Sequence, residues 1–163
     1  MLHIALTVWA LLSAWKWADW KRWKEFLPTI YYMVSMSLLY QYIAHNLYHL
    51  WHYERNVPNE LITDNLYSFI IFPCTVMLFL SNFPNQKVPV LGHYLKWIMI
   101  YSSLEWIGKE IGYMSYHHGW SWMCSFLFNC MMFPMLRLHH IRPLYAIWIT
   151  PIIILVILLI FYI

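Results

Sequence analysis

Apolar residues run along this chain in blocks of about twenty, broken by short polar stretches. A helix needs roughly 20 apolar residues to cross a hydrocarbon core of about 30 Å. By that ruler the chain divides into six spans, at residues 2–18, 28–50, 63–83, 89–112, 119–136 and 143–163. The last is the clearest, because Ile149 to Ile163 carries no charge. The first is the shortest, and it spans only if Lys16 snorkels and Trp15, Trp17 and Trp20 lie at an interface. It begins apolar at Leu2, with no basic region before it and no small-residue cleavage site after it, so it is expected to remain as a helix.

Prolines punctuate the same pattern. Pro28, Pro89 and Pro143 fall at span starts, where a missing N–H costs nothing. Pro73, Pro134 and Pro151 fall within spans, where each is expected to kink its helix or free a carbonyl for a neighbour to satisfy. Pro58 and Pro84 belong to loops. An echo at a spacing of 61 matches Pro28 to Pro89, Tyr40 to Tyr101 and Phe72-Pro73 to Phe133-Pro134. It reads either as parallel repeats or as coincidence, and so few matches favour coincidence.

Composition turns this pattern into a statement about solvent. Of 163 residues, 62% are apolar and 10% charged, against roughly 25% charged in soluble domains. Lipid must solvate much of the outside. The expectation is one all-α domain over residues 1–163, a polytopic helical bundle in a cell membrane. Charge then orients it. With the amino terminus outside, Lys16, Lys21, Arg22, Lys24, Lys87, Lys96, Arg137 and Arg142 fall on one side. The other side holds only Arg55 and Lys109, accompanied by Glu54, Glu60, Asp64 and Glu110. Short cytoplasmic loops attract Lys and Arg, so both termini are expected outside. Cys74, Cys124 and Cys130 lie in apolar segments without a CxxC pair, and read as buried free thiols.

Ionisable groups inside a span are costly, and each needs an explanation. Glu105 lies in span 4, about 24 Å from its inner end and about 10 Å from its outer one at 1.5 Å per residue. A carboxylate there is either neutral or paired. Tyr101, Glu105 and Lys109 recur at i, i+4 and i+8, so Lys109 can reach back to Glu105. Such a pair either anchors the helix or forms a proton or ligand site. His45 lies at a matching depth in span 2, and His45, His49 and His52 stand at i, i+4 and i+7. Imidazoles at that spacing can hold metal or haem, yet a structural polar stripe is the expected reading. No metal and no cofactor are expected.

Arg137 lies a membrane thickness from Glu105 and clusters with His139, His140 and Arg142. That cluster and the Trp15–Lys24 stretch read as contacts to anionic lipid headgroups through Lys16, Lys21, Arg22, Lys24, Arg137 and Arg142. Asp64, after Thr63, is expected to cap span 3. Asp19 is expected to partner Lys16 and Arg22, and His117 and His118 to sit in the outer loop after span 4. There is no nucleotide loop, Ser-His-Asp arrangement or zinc-protease motif. The four glycines argue against small-xxx-small packing, leaving aromatic and Met side chains to fill the gaps.

Four strings then stand out: MLHIALTVWALLSAWKWADW at the start, FPCTVMLFL at 72–80, LEWIGKEIG at 104–112 and FNCMMFPMLRLHHIRP at 128–143. With them the whole chain resembles a family of small, uncharacterised polytopic membrane proteins of endospore-forming bacteria. The resemblance implies no activity. It implies a bacterial inner-membrane protein connected with sporulation, and it draws attention to Trp9, Trp17, Asp19, Asp64, Pro73, Glu105, Trp106, Pro134 and Arg137. The histidine stripe is not part of that pattern. The expected function is non-enzymatic: a polar interior opening outward, lined by Glu105, His45, His49, Lys109, Asp64 and Tyr101, that binds or passes a small solute, proton or lipid. Membrane lipids, with a second copy or a partner membrane protein, are the expected neighbours. The alternatives are a structural or assembly subunit of a specialised membrane, and a redox protein using the histidines.

Overall fold

A computed structural model describes residues 2–43, 51–53, 60–84, 87–116 and 119–162. Helix α1 covers Leu2–Trp17, α2 Trp23–Tyr42, α3 Glu60–Leu66, α4 Phe72–Ser81, α5 Lys87–Glu110, α6 Trp122–Ile141 and α7 Pro143–Tyr162. A π-helical turn, Tyr67–Ile71, fuses α3 and α4 into one rod. The described residues thus form an all-helical fold of six rods with one small ribbon. Two stretches, Ile62–Ser81 and Pro143–Ile160, are long and apolar enough to cross a membrane. The ribbon joins strands β1, Trp51–Tyr53, and β2, Met114–Tyr116, antiparallel with Trp51 opposite Tyr116. Nothing in the loop sequences signals it, because three-residue strands carry too little alternation to read.

The turns between rods explain which residues meet. Between α1 and α2 the Asp19 carboxylate accepts from the Lys21 N–H at 3.1 Å and caps the turn Trp20–Arg22. The Asp19 N–H donates to Ser81 Oγ at 2.9 Å, and Asn82 Nδ2 donates to the Trp17 carbonyl at 3.2 Å. The α1–α2 turn and the end of α4 therefore share one end of the bundle. Arg137 joins them, 4.1 Å from the Phe83 ring centre. At the opposite end His3 Nδ1 lies 3.3 Å from the Tyr67 hydroxyl, and the His3 ring lies 5.8 Å from that of Tyr113.

Two expectations about boundaries are corrected. Pro28 lies inside α2, which starts at Trp23, where Glu25 in the first turn and its 2.8 Å bridge to Arg22 favour an earlier start. Asp64 lies inside α3, which starts at Glu60, so it is a buried interior side chain and not a cap. Pro73 acts as expected. A proline cannot accept an ordinary preceding helical turn without losing a bond, and the π turn before it re-pairs the backbone, with the Phe72 N–H donating to the Tyr67 carbonyl. Around Pro134, by contrast, α6 stays α-helical. The two halves of the 61-residue echo thus differ locally.

Helix α5 ends in a Schellman turn. The Tyr113 N–H donates to the Gly108 carbonyl and the Gly112 N–H to that of Lys109, both at 2.9 Å, with Gly112 at φ +69. That turn swings β2 back over the end of α5. The core lies toward the other end, where Phe79 and Phe133, both fully buried, pack with Phe83, His93, Trp97 and Tyr101. Hydroxyls within the helices are satisfied on their own backbone: Thr7 donates to the His3 carbonyl, Thr75 to that of Ile71, Ser103 to that of Met99 and Thr150 to that of Ala146.

Phe133→Ala is expected to destabilise the protein by about 3–5 kcal/mol, and Gly112→Ala by about 1–2 kcal/mol through its left-handed backbone. Equilibrium unfolding in detergent measures both, and equal small losses would contradict this packing.

Candidate functional site

Between the rods lies a cavity of about 340 Å³, a volume within the roughly 300–1,000 Å³ typical of small-molecule sites. Its walls are apolar and rich in methionine, with Met33, Met36, Met131, Met132 and Met135 among them. Methionine adapts to irregular occupants. The aromatic core closes the cavity toward the basic end, with Trp97 in the wall there. The Trp97 indole N–H is buried and has no hydrogen-bond partner among the described residues; its ring meets Phe79 edge-on at 6.2 Å. At the other end the cavity reaches Gly108, Tyr113, Met114 and Trp120.

Polar groups gather at that far end, around Glu105. The Tyr116 hydroxyl donates to Glu105 Oε1 at 2.8 Å. Ser125 also hydrogen-bonds Glu105, and its Oγ accepts from the Trp120 indole N–H at 2.8 Å. Each partner has a structural reason to be there. The Gly112 turn delivers Tyr116, and Ser121 starts α6 by accepting from the Cys124 N–H, which sets Ser125 one turn further on. Burial, and then the Glu105 charge, push the Tyr116 phenol above its ordinary range, so it stays protonated and keeps donating. One turn along, Asn129 Nδ2 donates to Ser102 Oγ at 3.3 Å and Trp122 Nε1 to the Ser102 carbonyl at 2.9 Å.

Four more hydrogen bonds tie the wall together. Gln41 Nε2 donates to Ser68 Oγ at 3.0 Å and to the Asp64 carbonyl at 3.2 Å, and Ser37 and Ser68 share a 2.8 Å bond. Tyr101 meets Thr75 Oγ1 at 2.6 Å.

The expected site residues separate. Glu105 and Tyr101 both line the cavity. Lys109 does not: it is exposed, with its ammonium 5.8 Å from the Tyr116 ring centre. At i+4 from Glu105 it lies only about 40° round the helix, yet its ammonium turns toward the Tyr116 ring and makes no ion pair with Glu105. Among the described residues Arg22–Glu25 is the ion pair within 4.0 Å. Asp64 is buried beside Tyr67 and close enough to His3 to influence it, behind the cavity wall. His45 and His49 lie outside the described residues. His52 lies in β1 opposite Ser115, so a helical histidine stripe does not reach it.

The basic residues stay at the end away from Glu105. Lys16, Lys24 and Arg142 stack on Trp17, Trp23 and Tyr145, with Lys21 and Arg22 in the adjoining turn. Asp19 serves the backbone of that turn, and Arg22 takes Glu25 as its partner. Residues that the sequence reading passed over include His3, Tyr67, Tyr113, Tyr116, Trp120 and Ser125, all in the cavity wall or bonded at its polar end. The one available signal was the run of Tyr113, Tyr116 and Trp120 directly after Gly112. Comparison with protein-family models, with curated proteins and with solved structures gives no match.

Tyr116→Phe is expected to cost on the order of 1 kcal/mol of stability, and Lys109→Met less than about 0.5 kcal/mol. Equilibrium unfolding of both variants checks this, and the reverse order would make Lys109 the true partner of Glu105.

Proposed function

We propose that this chain is a six-span, non-enzymatic membrane protein that binds a small amphiphile in an outward-facing cavity. The observation that carries the reading is the cavity itself, apolar over most of its wall, with its carboxylate at one end. A freely soluble polar solute needs polar groups on all sides; an amphiphile needs this division. The clustering of Lys16, Lys21, Arg22, Lys24, Arg137 and Arg142 at the opposite end supports a cytoplasmic position for that end, with Glu105 in the outer half of the bilayer. The resemblance in sequence adds a bacterial inner membrane and a connection with sporulation.

The exposed apolar surface of α7 favours a second reading, an assembly subunit. Only 11% of its most apolar stretch is buried within the chain, which leaves room for lipid, a second copy or a partner.

Gly108 offers a direct test. It is a buried residue of the cavity wall, and a Cβ added there meets nothing within 4 Å. Gly108→Phe is expected to fill the polar end, reducing amphiphile retained through mild-detergent purification roughly tenfold, about 1.4 kcal/mol, with an unchanged size-exclusion profile. Native mass spectrometry reads the occupancy, and equal retention by both proteins contradicts the proposal. Topology is tested separately in a cysteine-free background. An impermeant maleimide is expected to label the Glu110→Cys variant on intact cells and the Lys21→Cys variant only after permeabilisation. Labelling of both from outside rules out the orientation.

A further inference from the structure

The cavity has a side opening, and it selects both the ligand and its route. Helices α2 and α7 do not close on each other. A groove between them shares Tyr32, Met36, Leu39, Thr150 and Ile154 with the cavity wall. Among the described residues the polar tie across it is Tyr32 Oη to Thr150 Oγ1, at 2.7 Å. Both residues lie roughly halfway along their helices from the basic end. Beyond them, toward the polar end, the groove is edged by Met36 and Leu39 on α2 and Ile154 and Leu158 on α7. All four are apolar, and Leu39 is 38% exposed. Pro151, also in this groove, cannot donate to the Ile147 carbonyl, which loosens α7 where it borders the gap.

The polar end sets the headgroup. Glu105 accepts from Tyr116, and no cation among the described residues lies within 4.0 Å of its carboxylate. A carboxyl group in a low-dielectric site is held charged by a cation beside it, so a donor completes its oxygens and a cationic donor does so best. From Glu105 to Trp97 the cavity wall runs eight residues along α5, about 12 Å at 1.5 Å per residue. That length, lined mostly by apolar side chains, suits an acyl or alkyl chain.

Resting on the cavity reading above, we propose that the ligand is a single-chain amphiphile with a hydrogen-bond-donating headgroup, a long-chain amine or alcohol, which enters from the outer leaflet between α2 and α7 and docks its headgroup on Glu105. The chain then lies toward Trp97 among the methionines. A fatty acid of equal length is expected to bind more weakly, because its carboxylate would face that of Glu105 with no cation among the described residues beside it.

The test uses the full chain in phosphatidylcholine vesicles with a long-chain amine carrying a mid-chain diazirine. Photolabelled peptides are mapped by mass spectrometry. Label is expected in α5 and α6 at the cavity wall, suppressed by excess unlabelled amine or alcohol of the same length and less by the fatty acid. Glu105→Gln is expected to weaken the amine roughly tenfold while sparing the alcohol, since the amide oxygen still accepts. Ile154→Trp, which plugs the groove, is expected to slow labelling roughly tenfold with its size-exclusion profile unchanged. Equal competition by the fatty acid, or an unchanged rate in the folded Ile154→Trp variant, overturns this inference and leaves the cavity reading standing. Absence of cavity labelling by every chain overturns both.

Discussion

Polar groups among these helices have little but each other to bond with. In a dry protein interior an unsatisfied donor or acceptor costs several kcal/mol, and that constraint orders the rest of the structure. Helix hydroxyls turn back onto carbonyls of the preceding turn. Gln41 knits α2 to the backbone of α3 and to Ser68 at the π turn. Glu105, the costliest group in α5, recruits Tyr116 from a ribbon and Ser125 from a facing helix. The need to satisfy one carboxylate is thus enough to explain why a glycine-capped turn folds back over the end of α5.

Aromatic bulk supplies the second ordering principle. With four glycines in the chain, the helices do not approach by small-residue contacts. Phe79, Trp97 and Phe133 fill the basic half of the bundle, and Arg137 covers that cluster over Phe83. The other half is not filled in the same way. Its methionines and tyrosines stand around a space, and the looseness between α2 and α7 gives that space a side door. One end rigid and closed, the other adaptable and polar, is an arrangement suited to holding an amphiphile the right way up.

Much of the architecture was legible in the sequence because each apolar run ends at a polar or proline-marked break, and the helices end near the same breaks. The six blocks correspond to six rods among the described residues, and Pro73 marked a disturbed stretch of helix without showing that it is a π turn. The site was legible only in part. Glu105 and Tyr101 stand out because a polar side chain deep in an apolar block is conspicuous. Lys109 misled because i, i+4 spacing permits a contact without requiring one, and its ammonium turns toward the Tyr116 ring instead. The Asp64 cap misled because the polar Glu60 start lies outside the apolar run that defined the span. Tyr116, Trp120 and Ser125 were invisible because their role depends on where a loop folds back, which no periodicity encodes.

The most direct test of the central claim is an experimental structure of the protein in lipid nanodiscs, at a resolution that shows bound lipid. The account expects one rod of density running from the Glu105 carboxylate toward Trp97, with α2 and α7 parted beside it. A cavity collapsed onto itself, or one holding a file of waters leading to bulk solvent, would contradict it.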